Sequence, residues 1–331
     1  MRPFTFVEPT SLAEVVRLLT AGQGQVRLIA GGSDLLGELK DDVVSYEHLV
    51  SLAGVEELRQ IGEEGEGLRL GSLVTVAQLE YEPRLQGPYR ILAEAARSVA
   101  TPEIRTQGTL GGNLCQRPRC LYYRQSLTPC LKKGGADCPA HDSPYQAYLS
   151  IMGGHGCYSV HASDLAPPLL ALDAQVSLAG PSGARTLPLE KFFSGPEQDA
   201  RRENVLAVDE VLTAVLLPAV RPGWRGTYLK ARERTAGDFP VVSAAVGYAL
   251  DAGLIRQARV VLGGVAPVPW RSSAAEAVLA DQPPSSTLAA HAAAAAFANA
   301  KPLSHNAFKV EIGHALLERA IMVVASTLRG E

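Results

Sequence analysis

Leu12, Val15, Val16, Leu18 and Leu19 recur at three- and four-residue spacing behind Ser11-Leu-Ala-Glu14, and this Ser-x-x-Glu start predicts a capped helix over 11–21. A short strand-like run follows at 25–30 and stops at Gly31-Gly32-Ser33-Asp34, after which apolar residues resume: strand, tight turn, then helix or loop. Further strand patterns lie around 47–53 and 68–75, and 89–100 reads as a helix closed by Thr101-Pro102. The first third is therefore mixed α and β. From Gly108 to about Leu165 the periodicity disappears, and a stretch of that length inside a compact domain implies a function or an internal staple. Strand patterns return at 174–179 and 210–217. Pro218 to Gly226, with two prolines and two glycines, marks a boundary. Beyond it come strand-like runs at 241–250 and 257–264, then helical patterns at 273–280, 286–300 and 310–328. The Ala-rich stretch 289–300 fits a helix packed on a sheet, and no internal repeat is visible.

Composition narrows the class. With 331 residues the chain should form two or three domains, and 47% hydrophobic with 20% charged residues is ordinary for a soluble globular protein. No apolar run is long enough to span a bilayer, so no membrane span is expected. A net charge of -3 and the lack of a basic stripe argue against nucleic acid as a partner. The start, Met1-Arg-Pro-Phe-Thr-Phe-Val, carries no charged segment followed by an apolar one, so the cytoplasm is the expected location, or the periplasm if an exported partner carries the folded chain.

The candidate chemistry sits in two glycine turns and one cysteine cluster. Gly31-Gly32-Ser33-Asp34 and Gly108-Thr109-Leu110-Gly111-Gly112-Asn113 could each be plain turns. Paired glycines also let backbone N–H groups converge on an anion, with Ser33, Thr109 and Asn113 adding side-chain donors, so the two turns could grip one diphosphate. Neither has the Gly-x-Gly-x-x-Gly or the Gly-Lys-Ser/Thr form, which points to a dinucleotide held in another way. All five cysteines fall between 115 and 157. Intervals of nine, seven and eighteen residues separate Cys120, Cys130, Cys138 and Cys157, without the close pairs usual in zinc sites, and an odd total suits neither disulfides nor a secreted framework. Four thiolates spread along loops suit a [4Fe–4S] cluster, with Arg117, Arg119, Arg124, Lys132 and Lys133 available to offset its negative charge. Cys115, directly after the second glycine turn, reads as a small buried side chain rather than a ligand. His155 and His161 flank Cys157 and read as loop or packing residues.

These residues resemble the FAD-binding medium subunit of the molybdenum hydroxylases, the family of xanthine dehydrogenase, carbon monoxide dehydrogenase and aldehyde oxidoreductases. The resemblance runs along nearly the whole chain through AGGSDLL (30–36), GTLGGNLCQ (108–116), HASDLAPPLLALDA (161–174), EVLTAVLLP (210–218), YLKARERTAGDFPVVSAAV (228–246) and GGVAPVPWR (263–271). The cysteine pattern resembles members whose flavin subunit carries an extra [4Fe–4S] insertion, namely 4-hydroxybenzoyl-CoA reductase and periplasmic-type aldehyde oxidoreductases.

The resemblance implies an α+β fold. A two-part FAD-binding domain of the vanillyl-alcohol-oxidase (PCMH) type would cover 1–220, with subdomains of about 1–55 and 56–220 and an iron–sulfur insertion at about 115–160, and a smaller α/β C-terminal domain would follow at 224–331. It implies FAD contacts from Leu28, Ile29, Ala30, Gly31, Gly32, Ser33, Asp34 and Leu35, and from Thr109, Leu110, Gly111, Gly112 and Asn113. Ser163 and Asp164 would meet the cofactor's sugar portion, and Leu212 and Lys230 would approach the flavin ring, Lys230 as a cation for the reduced form. Bland alternatives are a helix N-cap for Asp164, a core residue for Leu212 and a solvated lysine for Lys230. Implied partners are a large molybdopterin subunit that handles the organic substrate, a small subunit with two [2Fe–2S] clusters, and an external electron acceptor. Rival readings are a free-standing FAD oxidoreductase, for which His161 or Asp238 would have to serve as base, and a non-enzymatic metal-binding scaffold.

Overall fold

The structure, a computed structural model, describes residues 1–235 and 237–330. Three sheets organise it. The first is built from β1 (Thr5–Val7), α1 (Leu12–Ala21), β2 (Val26–Ile29), α2 (Leu35–Lys40) and β3 (His48–Ser51) as a parallel sheet in the order β1-β3-β2. Helix α1 begins as its capping pattern requires, the Ser11 hydroxyl accepting from the Glu14 N–H, and buries Val15 and Leu19 against Val26 and Val50.

The second sheet takes its strands from distant parts of the chain. Its antiparallel order is β4-β5-β8-β6-β7, from β4 (Ile61–Glu64), β5 (Gly67–Gly71), β6 (Gln175–Gly180), β7 (Gly183–Pro188) and β8 (Val211–Leu217). Between β5 and β6 come α3 (Val76–Tyr81), α4 (Arg90–Ser98), α5 (Pro102–Gln107), α6 (Leu110–Leu114), α7 (Leu121–Arg124) and α8 (Ala166–Ala171), and α9 (Pro196–Asp199) precedes β8. Thr101-Pro102, expected to close a helix, does more: α4 ends at Ser98, and Thr101 caps α5 with proline at its first turn. From Gln125 to Leu165 the described residues contain no strand and only one helical turn, as the missing periodicity predicts.

The third sheet, β12-β11-β10-β9, is antiparallel and comprises β9 (Arg225–Ala231), β10 (Val242–Asp251), β11 (Leu254–Gly263) and β12 (Trp270–Arg271). Behind it lie α10 (Ser273–Leu279), α11 (Ser286–Phe297) and α12 (Phe308–Arg329). Strand β10 is buried from Val242 to Ala249 because both of its faces are covered. Ala245, with Val261 of β11, packs toward α4 and α8, while Ala244, Val246 and Tyr248, with Val260 and Leu262, pack toward α11 and α12. A strand covered on both faces needs a continuous apolar run, and β10 has one. This sheet therefore ties the C-terminal unit to the middle of the chain through a shared core. The alanines of α11 let α12 approach closely, and at Gly313 an added Cβ would lie 2.2 Å from the Phe297 ring.

Candidate functional site

The two glycine turns meet along one cleft. Gly31 lies so near the second turn that a Cβ there would stand 1.8 Å from the Gln107 carbonyl oxygen, and Gly32 has φ +71, which side-chain-bearing residues rarely adopt. The second turn is held in place by residues 72–76: Leu110 N–H donates to Val74 O, Gly111 N–H to Ser72 O, and Val76 N–H to Gly108 O. A cavity of about 700 Å³ opens beside both turns. It is lined by 28–35 and by Thr109, Gly111, Gly112 and Asn113, together with Asp164 and Leu212. Leu110 and Lys230 are not on its wall; Leu110 points into the core.

The turns differ in what they can offer an anion. In the second, Gly112 N–H donates to the Thr109 hydroxyl and Asn113 N–H to Thr109 O, so the N–H groups of 110–113 are all taken. In the first, among the described residues, the N–H groups of Gly31, Gly32, Ser33 and Asp34 have no protein acceptor. The two turns are therefore not equivalent: the first presents a nest of N–H groups, and the second presents side chains and glycine-smooth backbone. Asn113 is itself fixed, its Oδ1 accepting from the Ser163 hydroxyl at 2.5 Å.

Ser163 and Asp164 divide the roles that sequence left open. Ser163 Oγ accepts from the N–H of Ala166, the first residue of α8, while Asp164 lines the cavity. Asp164 Oδ1 accepts from the Tyr228 hydroxyl at 2.6 Å and Oδ2 from Lys230 Nζ at 2.8 Å. Tyr228 and Lys230 share a face of β9 because strand side chains alternate. Burial pushes the Asp164 pKa up, opposed by the Lys230 cation. The Lys230 side chain is buried and also donates to Ser98 O, so it is neither a solvated surface lysine nor a cavity-wall cation.

The rival base candidates are poorly set for that work. His161 is buried off the cavity wall, its Nδ1 accepts from Ser163 N–H, and burial pushes its pKa down to about 4. Asp238 lines the cavity, but both its carboxylate oxygens accept from Arg234.

The cysteine segment begins on the cavity wall, with Cys115, Gln116, Arg117 and Arg119. Burial pushes the Cys115 thiol up to about 12, which leaves it a neutral packing side chain. Cys120, Cys138 and Cys157 lie near enough to interact electrostatically, and backbone N–H groups of Tyr122 and Tyr123 reach Cys120 while those of Ala140, His141 and Tyr158 reach Cys138. Burial raises the pKa of both thiols. Next to Cys130, Leu131 N–H donates to Asp137 O, the residue before Cys138. Even so, among the described residues no three His, Cys, Asp or Glu side chains are grouped closely enough to hold a metal ion.

The basic residues of the segment also depart from expectation. Four of the five are paired with carboxylates: Arg117 and Lys132 with the buried Glu203, Arg119 and Arg124 with Asp34. Lys133 donates to the Gln125 carbonyl. Asp34 is expected to serve the cofactor, yet its carboxylate accepts from Arg124 Nη2 and the Arg117 N–H and forms an ion pair with Arg119. Glu38, Glu203, Ser72 and Phe239 also line the cavity without a local pattern to mark them, and Arg119, expected to balance cluster charge, lies on the same wall.

Comparison with known proteins agrees with this geometry. Residues 2–220 match the model of the FAD binding domain in molybdopterin dehydrogenase, and residues 227–324 that of the CO dehydrogenase flavoprotein C-terminal domain. The aldehyde oxidoreductase FAD-binding subunit PaoB of Escherichia coli (strain K12) is 32% identical over 94% of each chain. The xanthine dehydrogenase FAD-binding subunit of Escherichia coli O157:H7 is 30% identical over 82% of this chain and 78% of that one. Among solved structures, a chain of the carbon monoxide dehydrogenase of Hydrogenophaga pseudoflava superposes with a TM-score of 0.79 at 28% identity, covering 98% of this chain and 99% of that one.

Proposed function

Because this chain belongs to the family of FAD-binding subunits of the molybdopterin dehydrogenases, we propose that it is the electron-transfer subunit of a molybdenum hydroxylase complex. Electrons pass between the [2Fe–2S] clusters of a small partner subunit and an external acceptor by way of FAD bound here. The organic substrate, an aldehyde, an N-heterocycle or an aromatic acyl-CoA, reacts at a separate molybdopterin subunit. The observation that carries this reading is the cavity of about 700 Å³, which has an open nest of N–H groups at the first glycine turn and no free base on its wall among the candidates Asp238 and His161. Such a site suits holding a dinucleotide better than activating a substrate.

Within the cavity, residues 28–35 hold the diphosphate by backbone N–H donation, with Thr109 and Asn113 on the opposite side. Asp164 offers its oxygens to the sugar portion, oriented by Tyr228 and Lys230, and Leu212 packs against the ring. The described C-terminal unit, from Arg225 onward, closes the cavity through Gly237, Asp238 and Phe239. Bound FAD supplies the junction between one-electron carriers and a two-electron acceptor.

Cys120, Cys130, Cys138 and Cys157 hold a [4Fe–4S] cluster in the same proposal. Support comes from the electrostatic neighbourhood of Cys120, Cys138 and Cys157 and from the backbone N–H groups at two of those sulfurs. Such donors stabilise thiolate and sulfide charge without a side-chain cation. A single ion draws its ligands within about 2.3 Å of one centre, whereas a cuboid takes one thiolate per iron and accepts wider spacing.

The test is purification of the chain alone. It should carry flavin, iron and acid-labile sulfide, and it should turn over no aldehyde, N-heterocycle or acyl-CoA until the molybdopterin and [2Fe–2S] subunits are supplied. Turnover by the isolated chain would overturn the subunit reading, and flavin without iron would overturn the cluster alone.

A further inference from the structure

We propose that Arg119 donates to the diphosphate of the bound FAD, completing from the cysteine segment the anion site that the Gly31–Asp34 turn begins. Four observations meet at this side chain. Arg119 lines the same cavity as the open N–H groups of the first glycine turn. One edge of its guanidinium is committed, Nη2 lying 3.0 Å from Asp34 Oδ1 and 3.2 Å from Gln116 Oε1. Its plane is held over the Phe239 ring, 4.9 Å from the centroid. Its Nε, however, is buried and has no hydrogen-bond partner among the described residues.

A buried N–H without an acceptor is costly, and native structures keep few of them unless a ligand supplies the acceptor. Asp34 and Phe239 between them fix the guanidinium beside the nest, so the unpaired donor is pre-organised rather than free to swing into water. Of the neighbouring cations, Arg117 cannot take this role: Glu203, Tyr123 and the Arg201 carbonyl absorb its donors. An arginine is also the side chain best matched to phosphate oxygens. Because Cys120 is the next residue, the dinucleotide site and the thiol segment share one backbone link.

The experiment uses the full chain freed of flavin and titrated with FAD, ADP and riboflavin as separate probes. Arg119→Gln should raise the Kd for FAD and for ADP by about 10- to 100-fold, the range for a lost hydrogen bond to a charged group, and leave that for riboflavin unchanged. Arg119→Lys, which keeps the charge and loses the planar fork, should fall between wild type and Arg119→Gln and guards against a folding failure of the larger change. Unchanged FAD affinity in both variants overturns the proposal. So does an equal loss for riboflavin, which would assign Arg119 to the ring or to the fold. Failure of all three probes to bind wild-type protein would instead overturn the flavin reading itself, and this proposal with it.

Discussion

Lys230 Nζ and Asp164 Oδ2 lie 2.8 Å apart, with 3% and 4% of their side chains exposed. Both charges are almost wholly buried, and each is tolerated because the other is there. Lys230→Met should therefore cost about 3–5 kcal/mol of unfolding free energy, the range for breaking a buried pair and stranding one charge. Asp164→Asn combined with Lys230→Met removes both charges and should recover most of that loss, since Asn still accepts from the Tyr228 hydroxyl. Urea unfolding of the four proteins gives the coupling directly. If the double variant is no more stable than Lys230→Met, the pair is not the unit described here.

At Gly31 and Gly37 the same substitution should act in opposite directions. A Cβ on Gly31 would overlap the Gln107 carbonyl oxygen at 1.8 Å and the rest of the Gln107–Gly108 peptide behind it, backbone with no flexible side chain to yield. Gly31→Ala should push the first turn off the second and abolish flavin retention. Gly37, inside α2, has nothing within 4 Å of the Cβ position, so Gly37→Ala should raise stability by roughly 0.5–1 kcal/mol through helix propensity and leave flavin content unchanged. Flavin-to-protein ratio and thermal unfolding distinguish the two outcomes.

Asp34 joins the glycine turn to the segment carrying Cys120, accepting from Arg124 and the Arg117 N–H and forming an ion pair with Arg119. Ordering one site should then favour the other. Where the proposed cluster is present, chelating its iron is expected to weaken FAD binding about 5-fold or more, in the usual range of coupling free energies, and Asp34→Ala should erase that difference while lowering both occupancies. Parallel measurement of iron content and FAD Kd decides it. Equal FAD affinity with and without iron would leave Asp34 as a purely local contact.

Much of this architecture can be read along the chain, because its signals are local. The Ser11 cap, the helices around 90–98 and 286–297, and the double-faced apolar run of β10 each follow from spacing within a dozen residues. Both glycine turns are visible for the same reason. What escapes is set by long-range pairing. Nothing near Gly67–Gly71 says that it pairs with Val211–Leu217, and nothing near Asp34 says that its carboxylate belongs to Arg119 and Arg124. Lys230 shows the limit most plainly: the resemblance implies a cation approaching the flavin ring, whereas its ion pair with Asp164 appears only when β9 brings Tyr228 and Lys230 over that carboxylate.

Lys309 should make the fold gain stability as pH rises. It is fully buried on α12, its Nζ donates to Leu149 O at 2.8 Å and Gly264 O at 2.6 Å, and no carboxylate pairs with it among the described residues. A neutral amine has two N–H groups for these two carbonyls, whereas a protonated one buries a third donor and a net charge. Burial accordingly pushes its pKa from 10.5 down to about 7. Below about pH 7 folded and unfolded chains both carry the proton, and the group's contribution is flat and at its least favourable. Between about 7 and 10.5 the unfolded chain holds a proton that the folded one lacks, so stability climbs with pH. From about pH 6.5 to about pH 8.5 wild type should gain about 2 kcal/mol relative to Lys309→Met. Urea unfolding of both proteins at the two pH values provides the measurement, and a pH-independent difference would mean that Lys309 keeps its proton in the folded chain. The consequence reaches the thiols, since Leu149 belongs to the cysteine segment and Gly264 to the turn after β11: the clasp that secures the segment to the C-terminal unit is tightest where the amine is neutral.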